Sequence, residues 1–435
     1  MGMYKKVISG VYSLKSFLVH GRFVTAKWDF DHHVVPPLSS SSTYRLDSAE
    51  RAAEGFQSFG AGDDTFEKPP IYIYERLDEP TRSMLEDRLA CAEGGEIGVC
   101  FSTGMAAIAG ALGVGLSTGD ELISHQVVYG CTFSLMTNWL AQRLGIRVKF
   151  LDLSKPESLA KAITAKTRVI YFETPVNPTL ELIDIDEVCR AAAEANRGRP
   201  EEKKIKVVVD NTFATPFGQR PLEFGADMVI ESLTKNICGF GTDVGGVVVT
   251  RRQLQGALLL YRKDFGGVMT SKSAWPILVY GLPSLSIRLQ QESRSALEIA
   301  RFLEAHPKVA RVVYPGLESF PQGALARKQM TDYDGTFVPG NMIYFVLKGS
   351  ATAAGRKASK MVNFIAENAY TITLAVSLGQ IRTLIEKPSS MTHAVVPEKA
   401  KAMGHIDPGG IRLSVGIEET VDIIKDLNNA LNAFK

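Results

Sequence analysis

The chain lacks the features that would place it in a membrane or on a nucleic acid. No apolar run approaches the roughly 20 residues that a transmembrane helix needs, so no membrane span is expected. Lysine and arginine exceed aspartate and glutamate by only 49 − 47 = 2. Because the basic residues also form no run interleaved with aromatics, no nucleic-acid partner is expected.

Cysteine and histidine are too few and too scattered for a disulfide framework or a metal centre. The five cysteines form no Cys-x-x-Cys pair, which favours reduced thiols in a cytoplasmic protein. The seven histidines have no metal-binding spacing, so no metal is expected. Residues 5–14 weakly imitate a signal peptide, but Lys15 interrupts the apolar run and no cleavage site follows. The sequence therefore predicts a cytoplasmic location.

The 435 residues contain a long alternation of apolar runs and helical patterns. A chain of this length suits two packed domains better than one simple core. Proline, serine and glycine clusters before residue 79 predict an extended arm without long regular elements. The alternation that follows predicts a mainly parallel sheet covered on both faces. The predicted divisions are an arm at 1–79, a large domain at 80–284 and a smaller α+β domain at 285–435.

The strand candidates are short apolar runs, and the helix candidates show helical spacing of apolar residues. Seven strand candidates belong to the large domain, at residues 97–101, 121–124, 148–151, 169–172, 206–210, 228–230 and 246–250. Helices are predicted to begin near Pro80 and to cover 156–163, 185–196, 285–305 and 420–433, with small-domain strands at 310–314 and 342–347.

Two segments place side chains that pyridoxal phosphate requires at the ends of strand candidates. Residues 207–212 (Val-Val-Val-Asp-Asn-Thr) put Asp210 at the end of an apolar run, and residues 231–235 (Glu-Ser-Leu-Thr-Lys) put two hydroxyls and Lys235 after another. The cofactor needs a lysine for its aldehyde, an acid facing its pyridinium nitrogen and donors for its phosphate. Taken singly, Asp210 would be a helix cap and Lys235 an exposed charge. Their combination favours the cofactor.

The segment 209–216 (Val-Asp-Asn-Thr-Phe-Ala-Thr-Pro), followed by Ser-Leu-Thr-Lys at 232–235, resembles the Cys/Met-metabolism family of pyridoxal-phosphate enzymes. That family includes cystathionine lyases and synthases, homoserine sulfhydrylases and methionine γ-lyases. The resemblance runs from about Pro36 to the C-terminus. It implies a fold-type-I, aspartate-aminotransferase-like α/β architecture with a seven-stranded sheet. It also implies a small amino-acid substrate and a homotetramer, as a dimer of dimers.

Residues 101–107 (Phe-Ser-Thr-Gly-Met-Ala-Ala) end a strand candidate and open an alanine-rich helix. Thr103 or the serine before it suits the N-cap, and the glycine lets an anion approach N–H groups at the positive end of the helix. A plain helix cap is the alternative interpretation. By resemblance, backbone N–H groups and hydroxyls bind the cofactor phosphate at Gly104, Met105, Ser232 and Thr234.

Residues 72–81 (Tyr-Ile-Tyr-Glu-Arg-Leu-Asp-Glu-Pro-Thr) resemble the family's Tyr-Ser-Arg-x-x-Asn-Pro-Thr segment. The match implies that Tyr74 and Arg76 reach the phosphate of a neighbouring subunit, with the arginine as a bidentate donor. Two positions depart from the pattern, since Glu75 stands where the family has serine and Glu79 where it has asparagine. The Glu75 side chain is therefore expected to point away from the anion.

The resemblance also implies residues for the cofactor ring and the reacting carbons. Tyr129 would stack on the ring and pass a proton to the leaving group, and a cationic cofactor with Arg76 would depress the pKa of its phenol. In the Thr-Pro-x-Asn-Pro segment 174–178, Asn177 would bond the phenolic oxygen of the cofactor. Asp210 would keep the pyridine nitrogen protonated. By default, the tyrosine would be a packing residue and the asparagine a turn residue.

Arg412 lies in the apolar segment 410–416 (Gly-Ile-Arg-Leu-Ser-Val-Gly), where a charge is costly unless it is paired. The resemblance implies that its partner is the substrate α-carboxylate, with Ser377 assisting. An arginine that faces solvent from an edge is the alternative.

Three local features resemble the methionine γ-lyases within the family. Cys131 follows Tyr-Gly, Lys263 and Asp264 are adjacent, and Val376 stands where cystathionine γ-lyases have glutamate. Cys131, Lys263 and Asp264 are therefore predicted to contact the substrate. A free buried cysteine and a surface ion pair are the alternatives.

The predicted reaction is the α,γ-elimination of L-methionine, and of related sulfur amino acids such as homocysteine, to 2-oxobutanoate, ammonia and methanethiol. Lys235 and Tyr129 are the predicted catalytic residues. One alternative within the family is an O-acetylhomoserine or O-succinylhomoserine sulfhydrylase, and another is a cystathionine γ-synthase or lyase. A non-catalytic binding protein with the same fold is the alternative outside enzymes.

Overall fold

A computed structural model describes residues 12–21, 33–59, 71–394 and 397–433. The signal-like residues 5–11 and the glycine-rich part of the predicted arm at 60–64 lie outside the described residues. The strands are, in chain order, β1 (Ile97–Phe101), β2 (Glu121–His125), β3 (Arg147–Leu151), β4 (Thr167–Glu173), β5 (Lys206–Asp210), β6 (Met228–Glu231), β7 (Gly246–Thr250), β8 (Val309–Val313), β9 (Met342–Leu347), β10 (Ile372–Leu374), β11 (Thr383–Glu386) and β12 (Gly410–Ser414). The α-helices are α1 (Leu14–His20), α2 (Ala49–Ser58), α3 (Pro80–Ala92), α4 (Gly104–Gly115), α5 (Gly130–Ser134), α6 (Gln142–Leu144), α7 (Pro156–Ala162), α8 (Ile185–Ala195), α9 (Thr215–Gly218), α10 (Gln255–Phe265), α11 (Ser271–Pro276), α12 (Leu282–Ala305), α13 (Gly323–Gln329), α14 (Ala351–Asn368), α15 (Glu398–Met403) and α16 (Thr420–Asn432). Two π-helices lie at Leu135–Ala141 and Ile277–Gly281. Short 3₁₀ turns lie at Glu201–Lys203, Pro221–Phe224, Arg252–Leu254 and Pro388–Ser390.

Two β-sheets organise the fold. A seven-stranded sheet has the order β1-β7-β6-β5-β4-β2-β3, and a five-stranded sheet has the order β10-β11-β12-β9-β8. In the larger sheet β5, β4, β2 and β3 run parallel, whereas β7 is antiparallel to β1 and to β6. The prediction of an α/β fold with a mainly parallel seven-stranded sheet is confirmed. Among the described helices, none is long and apolar enough to cross a membrane.

The described residues divide into two compact units. The first unit comprises the part before residue 117 together with residues 220–285, and the second comprises residues 117–219 with the part after 285. The sequence-based division into an arm, a large domain and a small domain stays a prediction, although one boundary of the units falls at the same place, near residue 285.

The first unit has an apolar interior built where α4 packs on β1. Phe101, Ala107 and Leu112 are fully buried. A Cβ atom at Gly110 would lie only 2.7 Å from the Phe101 ring, so glycine allows the helix to approach the strand this closely. The close approach positions the first turn of α4 beside the end of β1.

The second unit contains a large core around α12 and α14. On α12 the buried residues recur at helical spacing, and buried residues of α14 and the five-stranded sheet join them. Burial of one apolar stripe stabilises such helices more than intrinsic propensity does. The buried members contributed by α12 and α14 are Ala296, Ile299, Ala300, Leu303, Ala358, Met361, Val362 and Ile365.

Most predicted elements are present, with ends that shift by a few residues. The strands at 97–101, 206–210, 246–250 and 342–347 have the predicted bounds. The expectation of an arm without long regular elements is wrong for Ala49–Ser58, which forms a ten-residue helix. Ser48 caps this helix by accepting the Arg51 N–H, and its alanines and glutamates favour helix, so local propensity outweighs the surrounding turn residues.

Candidate active site

The first unit places the start of helix α4 where β1 ends. The Thr103 side chain caps α4 by accepting the Ala106 N–H at 2.9 Å, as predicted. The first N–H groups of a helix have no partner within the helix and form its positive end. A Cβ atom at Gly104 would lie 2.9 Å from the Ser232 Oγ, so glycine lets this helix start approach the serine closely. Ser232 and the start of α4 therefore lie side by side.

The turn after β6 carries the predicted lysine. The Lys235 N–H donates to the Ser232 carbonyl at 3.1 Å. The Thr234 hydroxyl donates to the Gly245 carbonyl at 3.3 Å and accepts the Gly245 N–H at 3.1 Å. Ser232, Thr234 and Lys235 are all partly buried. The two hydroxyls and the lysine thus belong to one short turn whose backbone is fixed by hydrogen bonds.

The segment with Tyr74 and Arg76 lies against α10. Arg76 Nη1 donates to the Lys263 carbonyl at 3.0 Å, and its guanidinium lies over the Tyr74 ring at 5.5 Å. Lys263 Nζ pairs with Asp264 Oδ1 at 2.5 Å. Tyr74, Arg76 and Lys263 also line a cavity of about 590 Å³ in this unit. Arg76 therefore contacts the main chain of Lys263, and Lys263 and Asp264 form an exposed ion pair with each other, as the alternative interpretation expected.

The two acidic departures in this segment have structural partners. The Glu75 carboxylate accepts the Ser271 N–H at 3.2 Å. Glu79 caps α3 by accepting N–H groups from Thr81, at 2.8 Å, and from Arg82. Burial raises the pKa of Glu79 to about 7. Glutamate therefore still performs the capping that asparagine commonly provides.

Two fully buried arginines hold the backbone of the same segment. Arg82 Nη2 donates to the Glu75 carbonyl and Arg262 Nη2 to the Leu77 carbonyl, each at 2.8 Å. Arg262 Nη1 also pairs with Glu86 Oε1 at 2.5 Å. These bonds fix the main chain on both sides of Arg76.

In the second unit, Tyr129 stands immediately before α5. Its N–H donates to Glu173 Oε1 at 2.6 Å, and its phenol is hydrogen-bonded to Cys131, which is exposed. Burial, followed by Cys131 and Glu173, raises the pKa of the phenol, while Arg412 lowers it by less. Within this chain burial dominates, so the pKa is raised and the expected depression is not found. A phenol with a raised pKa keeps its proton at neutral pH.

Asp210 is the last residue of β5. Its Oδ1 accepts the Thr212 N–H at 3.0 Å, and its Oδ2 accepts the Tyr171 hydroxyl at 3.4 Å. The parallel register pairs Asp210 with Glu173, the last residue of β4. The carboxyl ends of these two strands therefore carry a pair of carboxyl groups.

Arg412 is buried inside β12, with 2% of its surface exposed, so the solvent-facing alternative is wrong. Its Nη1 donates to Asn177 Oδ1 at 2.9 Å and pairs with Glu386 Oε1 at 3.0 Å. Its Nη2 donates to the Ser377 carbonyl at 2.8 Å. Ser377 itself has φ +85°, a left-handed conformation that residues other than glycine rarely adopt. Asn177, predicted for the cofactor, is thus brought together with Ser377 and Arg412, which were predicted together for the substrate carboxylate.

Sequence reasoning missed Glu386, which is 1% exposed and pairs in register with Arg412 across β11 and β12. The Thr392 hydroxyl donates to Glu386 Oε1 at 2.8 Å. Burial and the Arg412 charge lower the pKa of the neighbouring His393 to about 4, so that imidazole is neutral. The missed signal was a charge at the end of the apolar run Thr-Leu-Ile-Glu. The cost of burying a charge, applied above to Arg412, indicates this residue equally.

Each unit offers groups whose chemistry fits a part of pyridoxal 5′-phosphate. The first unit has a helix start approached by a serine hydroxyl, with a lysine in the same turn, which suits an anionic phosphate and an aldehyde. The second has a carboxylate, an amide and a protonated phenol, which suit a pyridinium ring and its oxygen. The fit rests on these donors and on the glycine at position 104, where a Cβ atom would crowd Ser232.

A family model described as "Cys/Met metabolism PLP-dependent enzyme" matches residues 18–432. The chain belongs to this family. As a family member it is an enzyme that uses pyridoxal 5′-phosphate and acts on a small amino-acid substrate. The family predicted from the segments 209–216 and 232–235 is confirmed.

Relatives within the family are similar over nearly their whole lengths. An L-methionine gamma-lyase of Fusobacterium nucleatum subsp. nucleatum is 39% identical over 396 residues, 91% of this chain and 92% of the relative. One from Pseudomonas deceptionensis is 39% identical over 402 residues, 92% and 93% of the two chains. A cystathionine beta-lyase of Lactococcus lactis subsp. cremoris is 36% identical over 420 residues, 96% and 99%.

A solved structure has the same fold. The crystal structure of cystathionine gamma-lyase from Lactobacillus plantarum, complexed with L-serine, superposes with a TM-score of 0.81 at 30% identity. It covers 96% of this chain and 98% of its own. The structural similarity agrees with family membership.

Proposed function

We propose that this family member is a carbon–sulfur lyase that cleaves L-methionine, and related amino acids such as homocysteine, by α,γ-elimination. The observation that carries the proposal is the cluster of Arg412, Asn177, Tyr129 and Cys131 within the second unit. A buried guanidinium suits the α-carboxylate. A protonated phenol beside a thiol suits a departing sulfur. The two L-methionine gamma-lyases at 39% identity support the same activity.

The apolar residue beside Ser377 supports a substrate with an uncharged side chain. Val376 is 57% exposed, so its side chain is available to a thioether. A long substrate with a second ammonium and carboxylate would gain more from a polar group at this position. Methionine and homocysteine are therefore favoured over cystathionine.

The cofactor supplies an electron sink that acidifies the substrate Cα–H and Cβ–H bonds when it is bound. We assign its aldehyde to Lys235, its pyridine nitrogen to Asp210 and its phenolic oxygen to Asn177. Its phosphate is assigned to the donors Gly104, Met105, Ser232 and Thr234. Arg412, with Ser377, holds the substrate α-carboxylate, and Cys131 and Lys263 with Asp264 shape the space around the thioether.

Two side chains move the protons. The Lys235 amine, which is partly buried, would accept the Cα proton, pass it on and then accept a Cβ proton. Both protons return to the product, whose γ-carbon becomes a methyl group and whose β-carbon stays a methylene group. The Tyr129 phenol, whose raised pKa keeps it protonated, donates its proton to the departing sulfur. Methionine and one water thus give methanethiol, 2-oxobutanoate and ammonia, and every atom is accounted for.

The test is a steady-state comparison of methionine, homocysteine, cystathionine and acylated homoserines with sulfide. Equal release of methanethiol and 2-oxobutanoate from methionine is expected, and Lys235→Ala should abolish it. Borohydride reduction of the yellow protein should leave a covalent label on Lys235. Rapid turnover of an acylated homoserine with sulfide, and negligible 2-oxobutanoate from methionine, would establish a sulfhydrylase instead.

Cleavage of cystathionine is the second candidate, because the relatives include a cystathionine beta-lyase at 36% identity and the structural neighbour is a cystathionine gamma-lyase. The two candidates differ in what they require at residue 376, because an apolar Val376 favours methionine and a polar residue there would favour cystathionine. If kcat/KM for cystathionine exceeds that for methionine, and Val376→Glu changes neither, the preference for methionine fails.

We also propose a cytoplasmic homotetramer of two dimers in which Tyr74 and Arg76 complete the partner's site. Both side chains are exposed and lie beside a cavity, which supports a contact with a neighbouring subunit. Arg76→Ala and Lys235→Ala should each be inactive, and mixed dimers should recover activity because one of their two sites carries neither change. Sedimentation should give four chains. A fully active monomer would overturn the shared site, and recovery in a membrane or secreted fraction would overturn the location.

A further inference from the structure

Two carboxyl groups stand next to each other at the ends of β4 and β5. The parallel register pairs Glu173 with Asp210, so their side chains project from the same face of the sheet. Tyr171, two residues before Glu173, lies on that face as well, and its hydroxyl donates to Asp210 Oδ2 at 3.4 Å. Glu173 has only 6% of its surface exposed. The proposed mechanism assigns a role to Asp210 and none to Glu173.

Two carboxyl groups this close in a shielded place do not both ionise, because the second charge is opposed by the first and by loss of water. The hydrogen bonds indicate which of them carries the charge. Asp210 is partly exposed and accepts from the Thr212 N–H and the Tyr171 hydroxyl. Glu173 is buried and accepts from the Tyr129 N–H at 2.6 Å. Asp210 is thus better solvated, and its charge is favoured.

The titratable groups around Glu173 agree with this distribution. Burial raises the pKa of Glu173 well above its usual range, and the Asp210 charge raises it further, whereas the Tyr129 N–H lowers it. Tyr171 and Tyr129 are titratable groups on which the charges of this pair act, and burial raises the pKa of each phenol. The Arg412 charge lowers the pKa of Tyr129, and Arg412 itself pairs with Glu386.

We propose that Glu173 is a neutral positioning residue. It keeps its proton on Oε2 at neutral pH, holds the main chain of Tyr129 through Oε1, and leaves Asp210 as the one negative charge of the pair. The proposal rests on the proposed roles of Tyr129 as acid and of Asp210 at the pyridine nitrogen. A neutral Glu173 fixes the acid without competing for the ring proton. An ionised Glu173 would place a second charge beside it.

The direct test is infrared difference spectroscopy at neutral pH on the apo-protein, which requires no turnover. Wild type minus Glu173→Gln should show the carbonyl band of a protonated carboxylic acid. Wild type minus Asp210→Asn should show carboxylate bands. Glu121→Gln is the matched control, because Glu121 is 1% exposed yet bonded to Lys149 at 2.8 Å, which keeps it ionised. Carboxylate bands lost in Glu173→Gln would overturn the proposal.

A second measurement follows the absorption of the holoenzyme against pH. Glu173→Gln preserves a neutral acceptor for the Tyr129 N–H, so the spectral midpoint should stay within about 0.3 units of wild type. Asp210→Asn should move it by about one unit or more. A comparable shift in Glu173→Gln would show that Glu173 is charged.

The positioning role is tested by Glu173→Ala, which removes the acceptor. Thiol release should fall about tenfold, the cost of one hydrogen bond to the acid's backbone, while solvent exchange of the Cα proton changes by less. Glu173→Gln should restore both. If Glu173→Ala releases thiol at the wild-type rate, the positioning role is wrong. If wild type does not cleave methionine, the proposed function fails while the infrared and spectral results still decide the state of Glu173.

Discussion

Each unit of the protein buries arginines, and they use their donors differently. In the first unit, Arg82 and Arg262 donate largely to main-chain carbonyls, among them those of Glu75, Leu77 and Cys100. In the second unit, Arg412 is held by the side chains of Asn177 and Glu386, together with one carbonyl. All three arginines are at most 2% exposed. Burial of a charge therefore does not by itself mark a functional site.

The hydrogen-bond partners distinguish Arg82 and Arg262 from Arg412. A guanidinium bonded to carbonyls fixes the course of a loop, and its removal affects the fold. Arg412 is instead oriented by an amide in the loop after β4 and by a carboxylate at the end of β11. Arg412 also acts electrostatically on Tyr129. The comparison predicts a loss of stability in one region and a loss of substrate recognition in the other.

The largest effect is expected from removing one arginine in each unit. Arg262→Ala removes the cation closest to the buried Glu86 and leaves it with Arg82 at 3.9 Å, so the free energy of unfolding should fall by about 3–5 kcal/mol. Arg412→Ala should lower kcat/KM for methionine on the order of 10³-fold. The ratio of kcat/KM for methionine to that for its carboxylate-free amine should collapse in Arg412→Ala alone. An equal change in that ratio in both variants would remove the distinction.

The next largest effect comes from comparing two tyrosines, Tyr314 and Tyr129, because burial raises the pKa of both phenols. Tyr314 donates to the carbonyls of Ser293, at 3.1 Å, and Gly340, at 2.9 Å. Tyr314→Phe should cost about 1–2 kcal/mol of stability and leave kcat unchanged. Tyr129→Phe should still exchange the Cα proton in deuterated water but release thiol about 10²-fold more slowly. Equal loss of exchange and elimination in Tyr129→Phe would refute its role as the leaving-group acid.

A smaller effect is expected when the counter-ion of Arg412 is made neutral. Glu386→Gln keeps an oxygen for Thr392 and removes the charge, so stability should fall by about 1–2 kcal/mol. An unreactive carboxylate ligand should then raise the melting temperature of Glu386→Gln more than that of wild type, because it supplies the missing charge. Glu86→Gln, which neutralises the acid paired with Arg262, should show no such gain. If the ligand raised the melting temperature of both variants equally, the assignment of Arg412 to the substrate carboxylate would be contradicted.

The sequence was sufficient for the residues that form motifs and for the strands that are apolar. The ends of β1, β5, β7 and β9 followed from short, largely apolar runs, such as Val-Val-Val in β5 and β7 and Met-Ile-Tyr-Phe-Val-Leu in β9. The helix Ala49–Ser58 was missed because flanking turn residues hid a short run of helix formers. Strand β10 is only three residues long and leaves no period to detect.

Glu173 and Glu386 were missed for another reason. Each is a single acid at the end of an apolar strand, and its meaning depends on a partner in a neighbouring strand. Glu173 meets Asp210 through the register of β4 and β5, and Glu386 meets Arg412 through that of β11 and β12. Strand register is set by the assembled sheet and cannot be read from either segment alone.

A pH dependence of stability should be shared by both units. Burial raises the pKa of Glu79 in the first unit and of Glu292 in the second to about 7, from 4.5 in the unfolded chain. The folded state then binds these protons more tightly, so the contribution of the two carboxyl groups to stability is fully present below pH 4.5, falls as pH rises towards 7 and is lost above it. Urea unfolding at pH 5 and pH 8 should show this fall. Glu79→Gln and Glu292→Gln should each reduce the loss of stability between pH 5 and pH 8. If neither variant changed that loss, these two residues would not be its cause.

The left-handed backbone of Ser377 lowers stability at a residue to which we assign a role in substrate binding. A non-glycine residue in this region costs about 1–3 kcal/mol, so the position is better suited to glycine than to the serine it holds. Ser377→Gly should raise the melting temperature and raise KM for methionine, whereas Ser377→Ala should raise KM without the gain in stability. A screen that selects only for heat resistance would thus favour loss of this hydroxyl, and the strained serine would persist only where selection acts on turnover.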